Sequence, residues 1–249
     1  MTAIVTIVYS NTQNRMVYYI QMYMCDVNRE DFFEQLRYQN LEIFNIHDAA
    51  RIFGKPERYV SNRLSTMQHV RRVRRGLYYL DGVEISRIAS SVVSPSYISL
   101  LSAFYLHGVT TQIPTEIQVV SPVQHKAIFI DQNRIIFIRF RKDRIFGFER
   151  SELGMIATIE KAIVDSLYLN IFLSETEEVV EGNSGINLDR LFDCGTRMRS
   201  GATINRLGHL MEKYGYDCEK LTSFRSRRYV NFGEKGQFED TRWRVFYAE

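Results

Sequence analysis

The apolar positions in the first third of the chain recur at helical spacing. Three of them predict a first helix over 29–37: Phe32, Phe33 and Leu36. A short extended stretch follows at 41–44, and a second helix is predicted between Asn45, a good N-cap, and Gly54, whose permissive backbone can end a helix. The buried face of this second helix is a set of four residues at i, i+3, i+4 and i+7: Ile46, Ala49, Ala50 and Phe53.

A third helix is predicted over 56–67. It begins at Pro56, because the missing N–H of a proline has no partner in the first turn of a helix anyway. Its core side carries Val60, Leu64 and Met67. Two short strands joined near Arg75-Gly76 are then predicted within 70–80. Helix, extended piece, helix, tight turn, helix and hairpin is the order of a winged helix-turn-helix.

The remainder of the chain predicts a mixed pattern of helices and strands. Helices are predicted at 83–93, 97–107, 188–192, 203–214 and 218–224, with a further one capped by Thr158. Strands are predicted at 116–120, 127–130, 134–140, 145–148 and 242–247. The turn at 131–133 predicts that the strands at 127–130 and 134–140 form a hairpin. The acidic, glycine-containing stretch 174–187 predicts a mobile loop.

These patterns together predict an α+β fold. We expect a winged helix-turn-helix domain at 29–82, followed at 83–249 by a mixed α/β domain with an antiparallel sheet and a helical C-terminal part. Residues 1–28 form an extension whose apolar segments predict a hairpin-like pair of strands, and a misassigned translation start is the alternative interpretation. The polar residues that interrupt this extension argue against a membrane span or a signal peptide.

Charge is distributed unevenly along the 249 residues, although the formal net charge is only +3. Residues 51–76 contain eight bases and one acid, so this segment carries +7 and the rest of the chain sums to −4. A local basic segment in an otherwise acidic chain predicts a polyanionic partner.

The basic segment coincides with the third helix and the hairpin, which predicts double-stranded DNA as the partner. The candidate contacts around the helix are Lys55, Arg58, Tyr59, Ser61, Asn62, Arg63 and Ser65. Arg58 can bind guanine bidentately and Asn62 adenine, while the other polar residues can reach bases or phosphates. The candidate contacts on the hairpin are Arg71, Arg72, Arg74 and Arg75.

Strand alternation predicts that Arg72 and Arg74 share one face of the hairpin and that Arg71 and Arg75 share the other, so not all four are expected to contact DNA. The alternative interpretation is a solvated basic hairpin beside a helical pair that serves folding alone.

A second basic stretch covers 134–150. It supplies a candidate partner surface: Arg134, Arg139, Arg141, Lys142 and Arg144. This surface could extend the DNA footprint or meet an acidic partner protein, and an ordinary exposed face of an antiparallel sheet explains it equally well.

Composition and motifs argue against most catalytic classes. The three cysteines are far apart without a CxxC pair, which fits a reducing cytoplasm, and no HExxH, Walker, GxSxG or GxGxxG motif occurs. We expect a cytoplasmic, non-enzymatic protein without a cofactor or metal. A metal-dependent nuclease using Asp131 or Glu160 is a third hypothesis, but Glu160 and Lys161 near a helix start are explained more simply by the helix dipole.

The chain resembles the AbiEi family of antitoxin–transcriptional regulators of abortive-infection toxin–antitoxin systems. Five features carry the resemblance, which covers about 29–170: Arg75-Gly-Leu-Tyr-Tyr79 at the end of the winged helix, Pro95-Ser-Tyr-Ile-Ser-Leu-Leu-Ser-Ala-Phe-Tyr-Leu-His-Gly108, Gln112-Ile-Pro114, the predicted strand from Glu116 to Val120, and Ile159-Glu-Lys-Ala-Ile-Val-Asp165. Five residues match the recurrent positions: Ser99, His107, Glu160, Lys161 and Asp165.

This resemblance implies an N-terminal domain that represses its own promoter and a C-terminal domain that counteracts a nucleotidyltransferase-like toxin encoded next door. The resemblance leaves out 1–28, the acidic stretch and most of the C-terminal third. A one-component regulator whose larger domain senses a small molecule is the alternative function.

Overall fold

The computed structural model describes residues 5–12, 15–22, 27–182 and 185–248. They form an α+β fold that divides into two compact units, Met1–Asp81 and Gly82–Glu249. In the extension, strand β1 (Val5–Thr12) pairs antiparallel with β2 (Arg15–Met22), in a register that runs from Val5 opposite Met22 to Thr12 opposite Arg15. The residues expected to form the turn between them include 13–14, which lie outside the described part of the chain.

Within residues 27–81, the first unit contains three helices and a three-stranded sheet. The elements are α1 (Arg29–Tyr38), β3 (Ile43–Asn45), α2 (Ile46–Phe53), α3 (Glu57–Ser65), β4 (Val70–Arg74) and β5 (Leu77–Leu80). The strand order is β3-β5-β4, with both pairings antiparallel. The element order within 29–80 is the predicted one, and α3 begins one residue later and ends two residues earlier than predicted.

The ends of α2 are set by local chemistry. The Asn45 side chain accepts from the Asp48 N–H at 3.0 Å, and the Asp48 carboxylate accepts in return from the Asn45 N–H at 3.1 Å. This capping box satisfies donors that the first turn leaves unpaired. Gly54 ends the helix in the left-handed conformation, with φ of 61°. Both predicted boundary residues of α2 are therefore confirmed.

The second unit is built on a six-stranded sheet with the strand order β10-β11-β6-β7-β9-β8. Its strands are β6 (Tyr97–Ile98), β7 (Ile117–Ser121), β8 (Ile128–Ile130), β9 (Asn133–Arg139), β10 (Phe148–Ser151) and β11 (Gly154–Ala157). The predicted hairpin between the middle strands is confirmed, because β8 pairs antiparallel with β9.

The prediction that this sheet is antiparallel was wrong, because β7 pairs with β9 and β11 with β6 in parallel. β9 carries the buried residues Ile135 and Phe137, and it lies between β7 and the edge strand β8. The turn residues between β8 and β9 in the sequence specify that these two strands pair. The pairing of β7 with β9 depends instead on burial.

Helices cover much of the second unit. They are α4 (Ile85–Ser91), α5 (Leu100–Leu106), α6 (Ile159–Leu169), α7 (Leu173–Gly182), α8 (Leu188–Arg197) and α9 (Gly201–Lys213), with 3-10 helices at Lys142–Arg144 and Glu219–Phe224. A small sheet of order β12-β14-β13 follows, formed by β12 (Val230–Phe232), β13 (Phe238–Asp240) and β14 (Val245–Tyr247). Four strands of the second unit were not predicted: β6, β11, β12 and β13. The strand expected at 145–148 overlaps β10 only at Phe148.

Two further predictions for local structure in this unit were wrong. The expected mobile loop at 174–187 is largely α7, because Thr176, Val179 and Val180 form a buried face that packs on α6. Glu178 and Glu181 are exposed. The helix expected at 97–107 begins only at Leu100, since Tyr97 and Ile98 pair with β7 instead.

An ion pair with no solvent exposure lies at the centre of the second unit. The Lys161 ammonium binds the Asp165 carboxylate one turn along α6, and both side chains are 0% exposed. Asp165 Oδ2 also accepts from the hydroxyls of Ser99 at 2.8 Å and Tyr97 at 3.1 Å. Burial raises the pKa of Asp165, and the neighbouring ammonium and the two hydroxyls oppose that rise by stabilising the carboxylate.

Replacing Asp165 by Ala leaves the Lys161 ammonium buried without its counter-charge. We expect the free energy of unfolding, measured by urea denaturation of the full chain, to fall by about 3–5 kcal/mol. Adding Lys161→Met removes the uncompensated charge, so the double variant is expected to be more stable than Asp165→Ala alone. A double variant that is less stable than the single one would contradict the buried-charge explanation.

Candidate nucleic-acid interface

The orientation of α3 is set by its apolar residues. Val60 and Leu64 are at most 1% exposed in the core of the first unit. Because side chains four residues apart share a helix face, this burial turns Arg58 and Asn62 together toward solvent. Neither side chain has a partner among the residues that the structure describes. α3 therefore presents a guanidinium and a carboxamide on one exposed face.

Other polar residues on α3 are engaged within the unit. The Ser61 hydroxyl lies 3.3 Å from the Tyr78 hydroxyl of β5, and the Ser65 hydroxyl donates to the Asn62 carbonyl at 2.7 Å. The Ser65 contact helps to satisfy the last turn of the helix. The Ser61 side chain therefore points toward the sheet. Ser65 is exposed, and its hydroxyl proton is already donated to the Asn62 carbonyl.

Arg63 is half-buried and packs against the core of its own unit. Its guanidinium lies 5.3 Å from the centre of the Phe53 ring. It donates to the Val27 carbonyl and to the Tyr59 hydroxyl, each at 3.3 Å. The Tyr59 ring remains 45% exposed beside it. These contacts tie α3 to α2 and to Val27, which precedes the N-cap of α1, so the Arg63 side chain stabilises the unit.

The hairpin arginines differ in their surroundings. Arg71 Nε donates to Asp81 Oδ1 at 2.9 Å, and this hydrogen bond lowers the pKa of the Asp81 carboxyl. Arg74 donates to the Arg75 carbonyl at 3.5 Å. Arg72 and Arg75 are exposed and have no acidic partner within the described part of the chain. Lys55, the remaining predicted residue, is half-buried in the turn before α3.

The predicted pairing of hairpin faces was wrong, because β4 contains a bulge. The register places Arg72 opposite Tyr78 but Arg74 opposite Leu77, with the irregularity between the two arginines. Tyr78 and Leu77 are adjacent on β5 and therefore belong to opposite faces. Arg72 and Arg74 thus lie on different faces, because the extra residue of the bulge reverses the alternation.

The second basic stretch offers less available charge than its sequence indicates. Arg134 pairs with Glu116 at 2.6 Å, and Arg141 pairs with Asp143 at 3.2 Å. Arg144 is half-buried, with its guanidinium 4.6 Å from the Tyr168 ring centre and its Nε donating to the Met198 carbonyl at 2.9 Å. Arg139 and Lys142 are the exposed cations of the predicted set that have no acidic partner within the described chain.

The residues matching the recurrent family positions lie in the second unit. Ser99, Lys161 and Asp165 meet in the buried ion-pair network. His107 caps the C-terminus of α5, and its Nε2 lies 2.7 Å from the Ala157 carbonyl oxygen. Glu160 is buried and accepts from the Asn187 N–H at 3.1 Å. Each of the five therefore makes a contact that holds the unit together.

Two further observations concern metals and membranes. Asp131 lies in the turn between β8 and β9, with φ of 52°. Within the described residues, no three histidine, cysteine or acidic side chains are grouped so that they could hold a metal ion. No helix in that part of the chain is long and apolar enough to cross a membrane.

The structure also brings together two residues to which the sequence analysis assigned no role. His209 Nδ1 on α9 lies 2.8 Å from Asp240 Oδ2 at the end of β13, beside a cavity. The two residues are 31 positions apart and belong to no spacing motif. The period-2 pattern that would have indicated β13 is too short to recognise, so no local signal connects them.

No protein-family model and no curated protein sequence matches this chain.

Truncating Arg63 and Arg58 should separate structural from exposed arginines. We expect Arg63→Ala to lower the free energy of local opening of α1 and α3 by about 1–2 kcal/mol, because it loses the contact with Phe53 and two hydrogen bonds. Arg58→Ala should change it by less than about 0.5 kcal/mol, since the side chain is exposed. Hydrogen exchange of the amides of α1 and α3 measures both. Equal protection in the two variants would refute the structural use of Arg63.

Proposed function

We propose that this protein is a DNA-binding transcriptional regulator. In this proposal the first unit is a winged helix-turn-helix, with α2 and α3 as the helical pair and β4–β5 as the wing. One observation carries it: Arg58 and Asn62 on α3, and Arg72 and Arg75 on the hairpin, are all exposed and have no ion-pair partner among the described residues. Exposed arginines that are grouped in one small unit without neutralising acids create a positive surface, which favours an anionic partner.

The geometry of α3 suits the major groove of DNA. Arg58 is the second residue of the helix, and the N-terminal residues of a recognition helix contact the base edges. Asn62 follows one turn later on the same face, about 6 Å along the axis, which is close to the rise of two base pairs. Arginine pairs bidentately with guanine and asparagine with adenine. Arg58 and Asn62 are therefore assigned to base recognition.

The hairpin is assigned to the phosphate backbone. Arg72 and Arg75 sit at and near the β4–β5 turn, and contacts to phosphates position a protein without reading sequence. Ser61 and Arg63 are assigned to folding because their side chains are bound within the unit. The segment 51–76 carries +7 against −4 for the rest of the chain, which directs a polyanion to the first unit.

The resemblance to AbiEi-type regulators supports a more specific version of the proposal. The protein would repress its own promoter, and the second unit would counteract a neighbouring nucleotidyltransferase-like toxin. Arg139 and Lys142 are the residues of the second basic stretch best placed to meet an acidic partner, because both are exposed. A nucleotidyltransferase reading frame beside this gene would favour the antitoxin function, and its absence would count against it.

A second candidate function is a one-component regulator whose larger unit senses a small molecule. The observation that favours it is the cavity of about 680 Å³ beside His209.

Replacing Arg58 and Asn62 by Ala should relax sequence preference. We expect the ratio of affinities for the gene's own promoter and a scrambled duplex to fall by tenfold or more, because each bidentate base contact discriminates by about 1–3 kcal/mol. Gel-shift titrations with both duplexes measure this ratio. The control variant Arg190→Ala/Lys220→Ala removes two exposed cations of the second unit and should leave it unchanged. A preserved ratio in the Arg58/Asn62 variant would exclude α3 as the reading helix.

Replacing Arg72 and Arg75 by Ala should weaken binding to all duplexes alike. We expect the slope of log K against log salt concentration to become shallower by about 1 for each arginine removed, because each lost phosphate contact releases one counterion fewer. Fluorescence anisotropy with a labelled duplex at several salt concentrations measures this slope. If the slope stays as in the unmodified protein, the hairpin makes no phosphate contact.

A further inference from the structure

A cavity of about 680 Å³ lies in the second unit, between α7, α9 and the small sheet β12-β14-β13. This volume falls within the range of sites that bind small organic molecules. The aromatic residues Phe232 and Tyr247 line it, together with Leu173 from α7. The remaining lining includes several ionisable side chains, whose pairing decides what the cavity can bind.

His209 is the most deeply buried polar group of the cavity, with a side chain only 10% exposed. Its Nδ1 lies 2.8 Å from Asp240 Oδ2, and the other carboxylate oxygen of Asp240 accepts from the Trp243 N–H at 2.9 Å. A carboxylate beside Nδ1 favours the tautomer that carries the proton there. In the neutral ring, Nε2, which has no partner among the described residues, is then the hydrogen-bond acceptor that this cavity-lining side chain offers.

The ring of His209 is held in this orientation by its aromatic neighbours. Its centre lies 4.8 Å from that of Tyr247 and 5.4 Å from that of Phe232. These contacts and the Asp240 bond fix the direction of Nε2. The aromatic rings also present the negative π-faces that attract organic cations.

Four carboxylates line the cavity against a single lysine. Glu177 pairs with that lysine, Lys213, at 2.9 Å, and Glu212 pairs with Arg242 at 3.2 Å. Glu234 is exposed at the cavity and has no cationic partner in the described chain. Among the histidine and charged side chains of the lining, the groups left for a ligand are therefore the Glu234 carboxylate and the His209 Nε2 lone pair, and both are acceptors.

We propose that this cavity binds a small organic cation, namely a primary amine with an apolar body. The ammonium group supplies the donors that Nε2 and Glu234 lack, and it balances the excess negative charge. The apolar body packs on Phe232, Tyr247 and Leu173, where burial of apolar surface adds affinity. This site does not depend on DNA binding by the first unit, and under the second candidate function it would be the sensing site.

Isothermal titration calorimetry of the full chain without DNA tests the proposal with three probes of similar size. Phenethylamine carries the ammonium, 2-phenylethanol is its neutral counterpart and 3-phenylpropionate its anionic counterpart. We expect saturable binding of phenethylamine and at least tenfold weaker binding of the other two. Equal binding of the three probes, or no binding of the amine, would overturn the proposal.

Two variants locate the binding. Asp240→Asn can still accept from Trp243, but its amide donates to His209 Nδ1 and thereby moves the ring proton to Nε2. Glu234→Gln removes the unpaired charge at an exposed position. We expect the dissociation constant for phenethylamine to rise about tenfold in each, because each loses a charge-assisted contact.

The matched control is Asp189→Asn, which removes one negative charge from a side chain that is 94% exposed and does not line the cavity. This variant should bind phenethylamine as the unmodified protein does. Unchanged affinity in Glu234→Gln, together with unchanged affinity in Asp240→Asn wherever that variant folds, would refute the assigned site.

Discussion

The second unit depends on one buried ion pair, Lys161 with Asp165. Two charges without solvent contact are stable only when their remaining hydrogen-bonding capacity is met, because desolvation costs several kcal/mol for each ion. The hydroxyls of Ser99 and Tyr97 donate hydrogen bonds to the Asp165 carboxylate. Aromatic rings surround the Lys161 ammonium, and the nearest ring centre is that of Phe146, 4.7 Å from Nζ. The pair thereby fixes α6 against β6, and α6 in turn supports the packing of α5, α7, α8 and α9.

Arginine serves two different purposes in the first unit. Arg63 stacks on Phe53 and binds the Val27 carbonyl, so it acts as part of the core in spite of its charge. Arg58 and Arg72 are exposed and have no ion-pair partner in the described chain. The distinction follows from helix geometry, since Arg58 lies opposite the Val60–Leu64 stripe and Arg63 lies at its margin. A count of basic residues alone cannot separate these two uses.

The second unit distributes its charges differently. In its buried network, both carboxylate oxygens of Asp165 have hydrogen-bond partners, which connect strands and helices. The cavity beside His209, by contrast, keeps acceptors that nothing in the described chain satisfies. A buried polar group without a hydrogen-bond partner would destabilise the fold. At the edge of an open cavity such a group remains hydrated and can bind a ligand. This contrast is the physical basis for locating a ligand at the cavity and not at the ion pair.

The sequence by itself determined the element order of 29–80 and the ends of α2, because apolar spacing, the Asn45 cap and the Gly54 terminator act within a few residues. It did not determine the mixed order of the large sheet, the bulge in β4, α7 or the His209–Asp240 pair. Each of these arises between residues distant in the chain or from the burial of one helix face. Strand neighbours and side-chain partners depend on burial between segments that are distant in the chain, so they are seen only in the tertiary structure.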